Sequence, residues 1–100
     1  MFFVLLRFSS NKNQARQFME AHNAWIKRGF DDGVFLLVGS LPPNTGGGIV
    51  AHNTSRSDLQ SRVNGDPFAA QEVVSAEIVE FSPALADQRL QFLLLNSAVP

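Results

Sequence analysis

The chain has 100 residues, which is enough for one domain with a single hydrophobic core. Apolar residues make up 45% of the chain and charged residues 17%, a balance that excludes a disordered protein. The formal net charge of −1 argues against a nucleic-acid-binding protein, and the absence of cysteine excludes disulfides and thiolate chemistry.

The first predicted element is a β-strand over Phe2–Phe8. Its even and odd positions both carry apolar side chains, so we expect this strand to be covered on both faces. The run is too short to cross a membrane, and Lys12 follows it instead of preceding it as in a signal peptide. We therefore expect a cytoplasmic protein that does not associate with membranes.

A helix is predicted from about Lys12 to Arg28, with Ser10 or Asn11 as its N-cap and Gly29 at its end. One face of this helix is apolar apart from a single histidine. In chain order that face carries Phe18, Ala21, His22, Trp25 and Ile26.

Two further strands are predicted in the middle of the chain. Val34–Val38 is a second apolar strand, and a loop over Gly39–Thr45 leads to a weaker third strand over Gly47–His52, antiparallel to the second. The triplet Gly46-Gly47-Gly48 lacks the Lys-Ser/Thr and the following helix of a phosphate loop. It is better interpreted as a tight entry into the third strand.

The C-terminal half begins with a capping-box spacing. Ser55–Asp58 predicts a short helix that ends near Val63. A turn over Asp66–Phe68 follows, and then a fourth strand over Val73–Phe81. Leucines at helical spacing predict a last helix over Ala84–Asn96.

This order predicts an α+β fold of the ferredoxin-like βαββαβ type, with a four-stranded antiparallel sheet and an extra C-terminal helix. We expect a domain over residues 1–83 and a helical extension over residues 84–100. The first and second strands are the candidates for the sheet centre, and both are apolar on two sides. Two helices cover only one side, so we predict a homodimer with its sheets face to face, which assembles further if the C-terminal helix adds a contact.

His22 and Asp66 are the leading candidates for catalysis. A histidine on an apolar helix face is either a packed core residue or a general base, and the sequence leaves both open. Asp66 precedes a proline and could orient that imidazole, or it could simply cap a short turn.

Other polar side chains are weaker candidates for a site. Ser40 follows the second strand and is interpreted as a pocket hydroxyl. Arg7 could meet an anionic substrate or could be a rim charge, while His52 is expected to be exposed and idle. The chain lacks the short ligand spacings of a zinc site, so we expect neither a metal nor a cofactor.

Five short stretches together resemble the YCII-related (YciI-like) proteins of the dimeric α+β barrel superfamily. They are His22–Trp25, Val38–Leu41, Gly48–Val50, Asp66–Phe68 and Glu80–Pro83. The resemblance covers residues 1–83 and implies ferredoxin-like subunits that dimerise through their sheets. It also implies an active site built on a histidine and an aspartate, which fall on His22 and Asp66. The chain departs from the family where Ser40 follows Gly39, since the family usually has Gly-Pro there.

The family includes a dehydrochlorinase that acts on a chlorinated hydroxyquinol, and related barrels include muconolactone isomerases. The resemblance therefore implies a small cofactor-free lyase or isomerase in which His22 moves a proton on a small cyclic or aromatic substrate. We predict a pocket between the first helix and the sheet, with Arg7 or Ser40 holding a substrate oxygen. Its predicted apolar lining is Phe18, Trp25, Phe35 and Phe68. The alternative is a non-catalytic dimeric scaffold that binds a small ligand.

Overall fold

The computed structural model describes residues 1–97 and has a mixed architecture of helices packed on one sheet. The strands are β1 (Phe2–Phe8), β2 (Phe35–Leu41), β3 (Gly46–Ala51) and β4 (Val74–Glu80). The helices are α1 (Ala15–Asp31), α2 (Arg56–Asn64), α3 (Pro67–Ala70) and α4 (Phe92–Ser97), with 3-10 turns at Lys12–Gln14 and Gln88–Leu90. The strands form an antiparallel sheet in the order β2-β3-β1-β4. The predicted α+β class with a four-stranded antiparallel sheet is confirmed.

The centre of the sheet differs from the prediction. β1 and β3 are the inner strands, and β2 lies at an edge. The glycines of β3 made it look weak, but ladder hydrogen bonds join backbone groups and need no side chains. β3 therefore pairs on both sides, with Ile49 opposite Val4 of β1 and Val38 of β2. β2 is apolar on both sides although it lies at an edge: Phe35 is buried in the core, whereas Leu37 is exposed.

One face of the sheet, which we call the inner face, carries the core. Along β1 the side chains of Phe2, Val4 and Leu6 are buried, whereas the alternate positions are less so. Leu59 and Val63 of α2 are almost fully buried and belong to the same core. The opposite, outer face carries the alternate side chains of each strand.

α1 begins and ends about three residues later than the predicted helix. The 3-10 turn takes the place of its first residues, and neither Ser10 nor Asn11 caps α1, whose N-cap Gln14 makes no side-chain capping bond. The helix also continues through Gly29 to Asp31. Gly29 is buried because the helix approaches the sheet closely there: a Cβ atom would lie 2.1 Å from the Phe35 ring. Gly29 allows the Phe35 ring to pack closely against α1, and it does not end the helix.

β2 and the C-terminal segment also differ from their predicted bounds. β2 runs on to Leu41, so the connection to β3 is shorter than the predicted loop. The predicted helix over Ala84–Asn96 is helical only in its last part, α4, after the 3-10 turn. The Asp87 carboxylate accepts the Arg89 backbone N–H at 2.8 Å as a cap. The Arg89 guanidinium and then this capping bond lower the pKa of Asp87. Such a cap starts a new turn and interrupts the longer helix.

Residues 98–100 of the predicted extension lie outside the described residues. The division at residue 83 and the homodimer stay predictions. Among residues 1–97, no helix has the length and apolar character needed to cross a membrane.

Candidate active site

The candidate site begins at the N-terminus of α3. Asp66 is the N-cap of this four-residue helix, and Pro67 occupies its first turn. The Phe68 N–H donates to Asp66 Oδ1 at 3.1 Å, which fixes the carboxylate. An Asp-Pro pair is well suited to this position, because the side chain caps the helix and proline needs no hydrogen bond there.

His22 of α1 completes a pair with this aspartate. The distance between His22 Nδ1 and Asp66 Oδ1 is 2.7 Å. Asp66 is fully buried, while 12% of the His22 side chain is exposed. Because a carboxylate oxygen only accepts, His22 Nδ1 carries a proton and donates it to this bond. Nε2 is then the basic nitrogen, and within residues 1–97 it takes part in no hydrogen bond.

Aromatic rings hold the imidazole in a fixed plane. The Phe68 ring stacks on it with centroids 3.9 Å apart and planes 4° apart, and Trp25 lies 5.9 Å away. The Trp25 indole is itself fixed, because its N–H donates to the Arg62 carbonyl at 2.9 Å. The rotamer of His22 is therefore constrained by one hydrogen bond and by ring contacts. Constraint of this kind is what a preorganised catalytic group requires.

A cavity of about 340 Å³ lies between α1 and the sheet, and His22 is on its wall. Its lining comes mainly from apolar side chains and from glycine backbone. The apolar side chains are Leu6, Phe8, Ile26, Val38, Ile49, Phe68 and Val74. The remaining lining residues are His22, Ser40, Gly39, Gly46, Gly47 and Gly48.

Gly47 of β3 makes room for this cavity, because it stands opposite Leu6 on the inner face and has no side chain. At Gly46 a side chain is also sterically excluded, because a Cβ atom would lie 1.9 Å from the Leu6 carbonyl oxygen and the φ angle is +148°. The sequence pattern predicted a tight strand entry for Gly46-Gly47-Gly48 and gave no indication that these residues line the site. The available signal was the loss of side chains in a strand that had to face the core.

The predicted site residues divide into two groups. His22, Ser40 and Phe68 line the cavity, and Asp66 lies behind His22. Trp25 and Phe35 instead pack in the core, each only 3% exposed, with their rings 5.2 Å apart. The Trp25 indole points toward α2, where its N–H donates to the Arg62 carbonyl, and the Phe35 ring packs against Gly29 and Trp25.

The other two predicted binding residues also lie elsewhere. Phe18 packs against the core and is not part of the cavity lining. Arg7 alternates with Leu6 along β1 and so lies on the outer face, where it forms a 2.8 Å ion pair with Glu77. The structure thus does not bring Arg7 to the cavity.

The second histidine has a different environment. His52 follows β3, does not line the cavity and is only partly exposed. Its Nδ1 atom is buried without a hydrogen-bond partner, and its ring lies 6.0 Å from that of Phe92. Burial is the main cause that lowers the pKa of His52. The described residues contain no group of three or more potential metal ligands.

These features define a class of protein: a small α+β fold with a buried aspartate that orients a histidine on the wall of an apolar cavity. The chain belongs to the YCII-related domain family, whose family model matches residues 1–82. A search of curated proteins by sequence found no significant match.

A similar solved structure is 5-chloro-2-hydroxyhydroquinone dehydrochlorinase from Burkholderia phenoliruptrix AC1100, in complex with 2,5-dihydroxybenzoquinone. The sequence identity is 16% and the TM-score is 0.65. The alignment covers 81% of this chain and 93% of that one. At this identity the likeness shows the shared fold.

Proposed function

We propose that this protein is a cofactor-free enzyme of the lyase or isomerase type that acts on a small cyclic or aromatic substrate. The observation that carries the proposal is the 2.7 Å contact between Asp66 and His22 on the wall of a cavity. The lyase activity named for the similar dehydrochlorinase, and the ring compound bound in its structure, support this choice of reaction and substrate.

His22 is the proposed general base. Its Nε2 atom accepts a proton from a hydroxyl group or carbon of the substrate, and the electron pair left behind enters the ring system. In a lyase reaction this pair expels a leaving group, which departs with its own bonding electrons. In an isomerase reaction His22 returns the proton to a different carbon. Both outcomes balance without an oxidant, a reductant or a second substrate.

Asp66 is the proposed positioning residue. It fixes the tautomer of His22 through the Nδ1 bond and stabilises the imidazolium that forms when Nε2 takes the proton. The stacked Phe68 ring supports the same charged form, because an aromatic face attracts a cation. The cavity volume suits a single ring with a few substituents.

Substitution of His22 is the direct test. We expect His22→Ala to lower the turnover number by about 10²–10⁴-fold, since this is the usual contribution of a general base. Turnover would be followed with a panel of small cyclic acids, lactones and chlorinated phenols. His52→Ala is the matched control and should retain full activity, because His52 does not line the cavity. A His22→Ala protein that turns over substrate with saturation kinetics would refute the role of His22.

Asp66→Asn separates orientation from helix capping. Asparagine caps helices as well as aspartate does, so we expect α3 to remain folded while the carboxylate is lost. The turnover number should fall with little change in KM, and the NMR signals of the His22 ring nitrogens should report a changed tautomer mixture. An unchanged tautomer and unchanged turnover would refute the positioning role.

One observation favours the second candidate function, a non-catalytic scaffold that binds small ligands. Asp66 caps α3 through the same oxygen that contacts His22, which is also what a structural hydrogen bond would look like. If the protein is such a scaffold, the wild-type protein and His22→Ala both leave every compound of the panel at its uncatalysed rate of conversion. The substitution then changes only the stability of the fold.

We also propose that two copies of the chain pair through their outer sheet faces. This face carries exposed apolar side chains, including Leu37, Val79 and Phe81. Phe3 and Leu5 add to it from the central strand β1. Soluble monomers seldom expose a continuous apolar patch of this kind, and a second copy offers the same surface in return.

A further inference from the structure

The cavity contains few polar side chains. His22 and Ser40 are the polar side chains among its lining residues, which otherwise contribute apolar groups or glycine backbone. They come from opposite layers: His22 lies on α1, and Ser40 lies on the edge strand β2. A ligand between the helix and the sheet therefore meets one polar group on each side.

No positive charge among the described lining residues faces the cavity, apart from His22 when it holds a proton. Arg7, which could have bound a carboxylate, is on the outer face with Glu77. The charged group directly behind His22 is the buried carboxylate of Asp66.

The Lys12 ammonium lies 5.0 Å from the Phe8 ring centroid, but it donates to the Asn44 carbonyl and is not among the lining residues. A ligand carboxylate beside His22 would therefore lose hydration without a cationic side chain in the lining to replace it, which is costly. The cavity therefore favours ligands that are uncharged when they enter.

Ser40 has a hydroxyl group available for such a ligand. Ser40 pairs with Gly47 across the β2–β3 ladder, so both positions face the same side of the sheet and glycine leaves the space beside the hydroxyl open. Within residues 1–97 the Ser40 side chain makes no hydrogen bond, and the residue is exposed. Its Oγ can donate to and accept from a ligand oxygen without breaking an internal bond.

We infer that the cavity binds an uncharged ring compound with two oxygen groups, one at His22 Nε2 and the other at Ser40 Oγ, and that Ser40 determines this preference. The assignment of the first oxygen rests on the proposed function, whereas the contact with Ser40 does not.

Binding of inert probes tests the role of Ser40. Hydroquinone and 4-methylphenol have nearly the same shape, and only hydroquinone has the second hydroxyl group. Each probe would be titrated under nitrogen into the full-length protein, with the backbone amides of Ser40 and Gly47 followed by NMR. We expect Ser40→Ala to reduce the ratio of the two affinities by about three- to tenfold, the usual effect of one neutral hydrogen bond.

Two variants control for indirect effects. Ser40→Thr keeps a hydroxyl group and should retain the preference for hydroquinone. Ser75→Ala removes an exposed serine from β4 opposite Arg7, on the outer face, and should leave the ratio unchanged. An affinity ratio that is the same in the wild-type protein and in Ser40→Ala would overturn the assignment of Ser40.

A second probe pair tests the preference for uncharged ligands. At pH 7.5, 4-hydroxybenzamide is neutral and 4-hydroxybenzoate carries a carboxylate of similar size. We expect the amide to bind at least about tenfold more tightly, because the carboxylate has no cation to replace its hydration. Equal or tighter binding of the carboxylate, or no response of the cavity amides to any probe, would overturn the inference.

These binding measurements are independent of turnover. If His22→Ala remains active, the proposed function fails while the affinity ratio of hydroquinone and 4-methylphenol still decides the role of Ser40. If His22→Ala is inactive and Ser40→Ala keeps the wild-type ratio, only the role of Ser40 fails.

Discussion

The two faces of the sheet differ in how their apolar residues are used. On the inner face, helices cover the side chains of β1, and a cavity remains where β3 has glycines. On the outer face, residues of similar hydrophobicity stay partly exposed, and Leu37 of β2 has 65% of its surface accessible. Strands that are apolar on both sides thus do not imply two cores. They provide one core with a site and one surface that is available for association.

The two faces of the sheet also differ in their polar side chains. Ser40 interrupts the inner face at the cavity, and His22 of α1 lines the same cavity from the opposite layer. Arg7 and Glu77 interrupt the outer face and neutralise each other. An ion pair this exposed contributes little to stability, so its main effect is to limit which surfaces can pack there.

The largest expected effect contrasts two adjacent leucines of β1. Leu6 is buried on the inner face and Leu5 is half-buried on the outer face. We expect Leu6→Ala to lower the free energy of unfolding by about 2–5 kcal/mol, because it leaves a gap in the core. Leu5→Ala should cost less than about 1 kcal/mol.

Urea unfolding, at concentrations where light scattering shows a monomer, would measure both losses. Equal losses for the two variants would show that the faces do not differ in packing.

A charge placed on the outer face tests whether two copies of the chain associate through it. Leu37→Lys should lower the affinity of the proposed dimer by at least about tenfold, because a buried lysine without a partner opposes the contact. The fold should be unaffected, since Leu37 is largely exposed. Sedimentation of the two proteins over a concentration series would measure the change. Gln17→Lys, which adds the same charge on exposed α1 surface, should leave association unchanged.

The smallest expected effect concerns His52, where Phe92 of the C-terminal segment meets the end of β3. Burial lowers the pKa of His52 in the folded protein, so below a pH of about 6.5 the unfolded chain binds the proton more readily. The stability that depends on neutral His52 is therefore complete above this pH and is lost as the pH falls toward the lower, folded-state pKa.

Urea unfolding at pH 7.5 and pH 5.5 would measure this loss. His52→Gln should lose less stability than the wild-type protein over the same interval. His22 is present in both proteins, so the difference between them isolates His52. An identical loss in both proteins would contradict the prediction.

Local signals predicted the parts of the fold that depend on neighbouring residues. β1 has its predicted bounds, and α2 begins at the predicted cap, where Ser55 accepts the Asp58 N–H. The features that were predicted wrongly depend on contacts between residues in different secondary-structure elements. Gly29 resembles a helix end locally, yet the helix continues because Phe35 packs against it.

The candidate site shows the same limit. The apolar face of α1 and the Asp66-Pro67 pair predicted His22 and Asp66 as candidate site residues. They left open whether Asp66 caps a helix or contacts the histidine. The structure contains both contacts. The side of the sheet on which Arg7 lies depends on register, which no local pattern specifies.

Part of the space at the site comes from the side chain that Gly47 of β3 does not have. Gly47 faces Ser40 across the ladder, and a methyl group there would sit 3.2 Å from the nearest atom, a backbone oxygen of Gly39. Alanine at this position would therefore narrow the cavity, and the β2 backbone at Gly39 would have to yield by a few tenths of an ångström. Substitutions on this side of the cavity can change which molecules fit while the His22–Asp66 pair on the opposite wall stays in place.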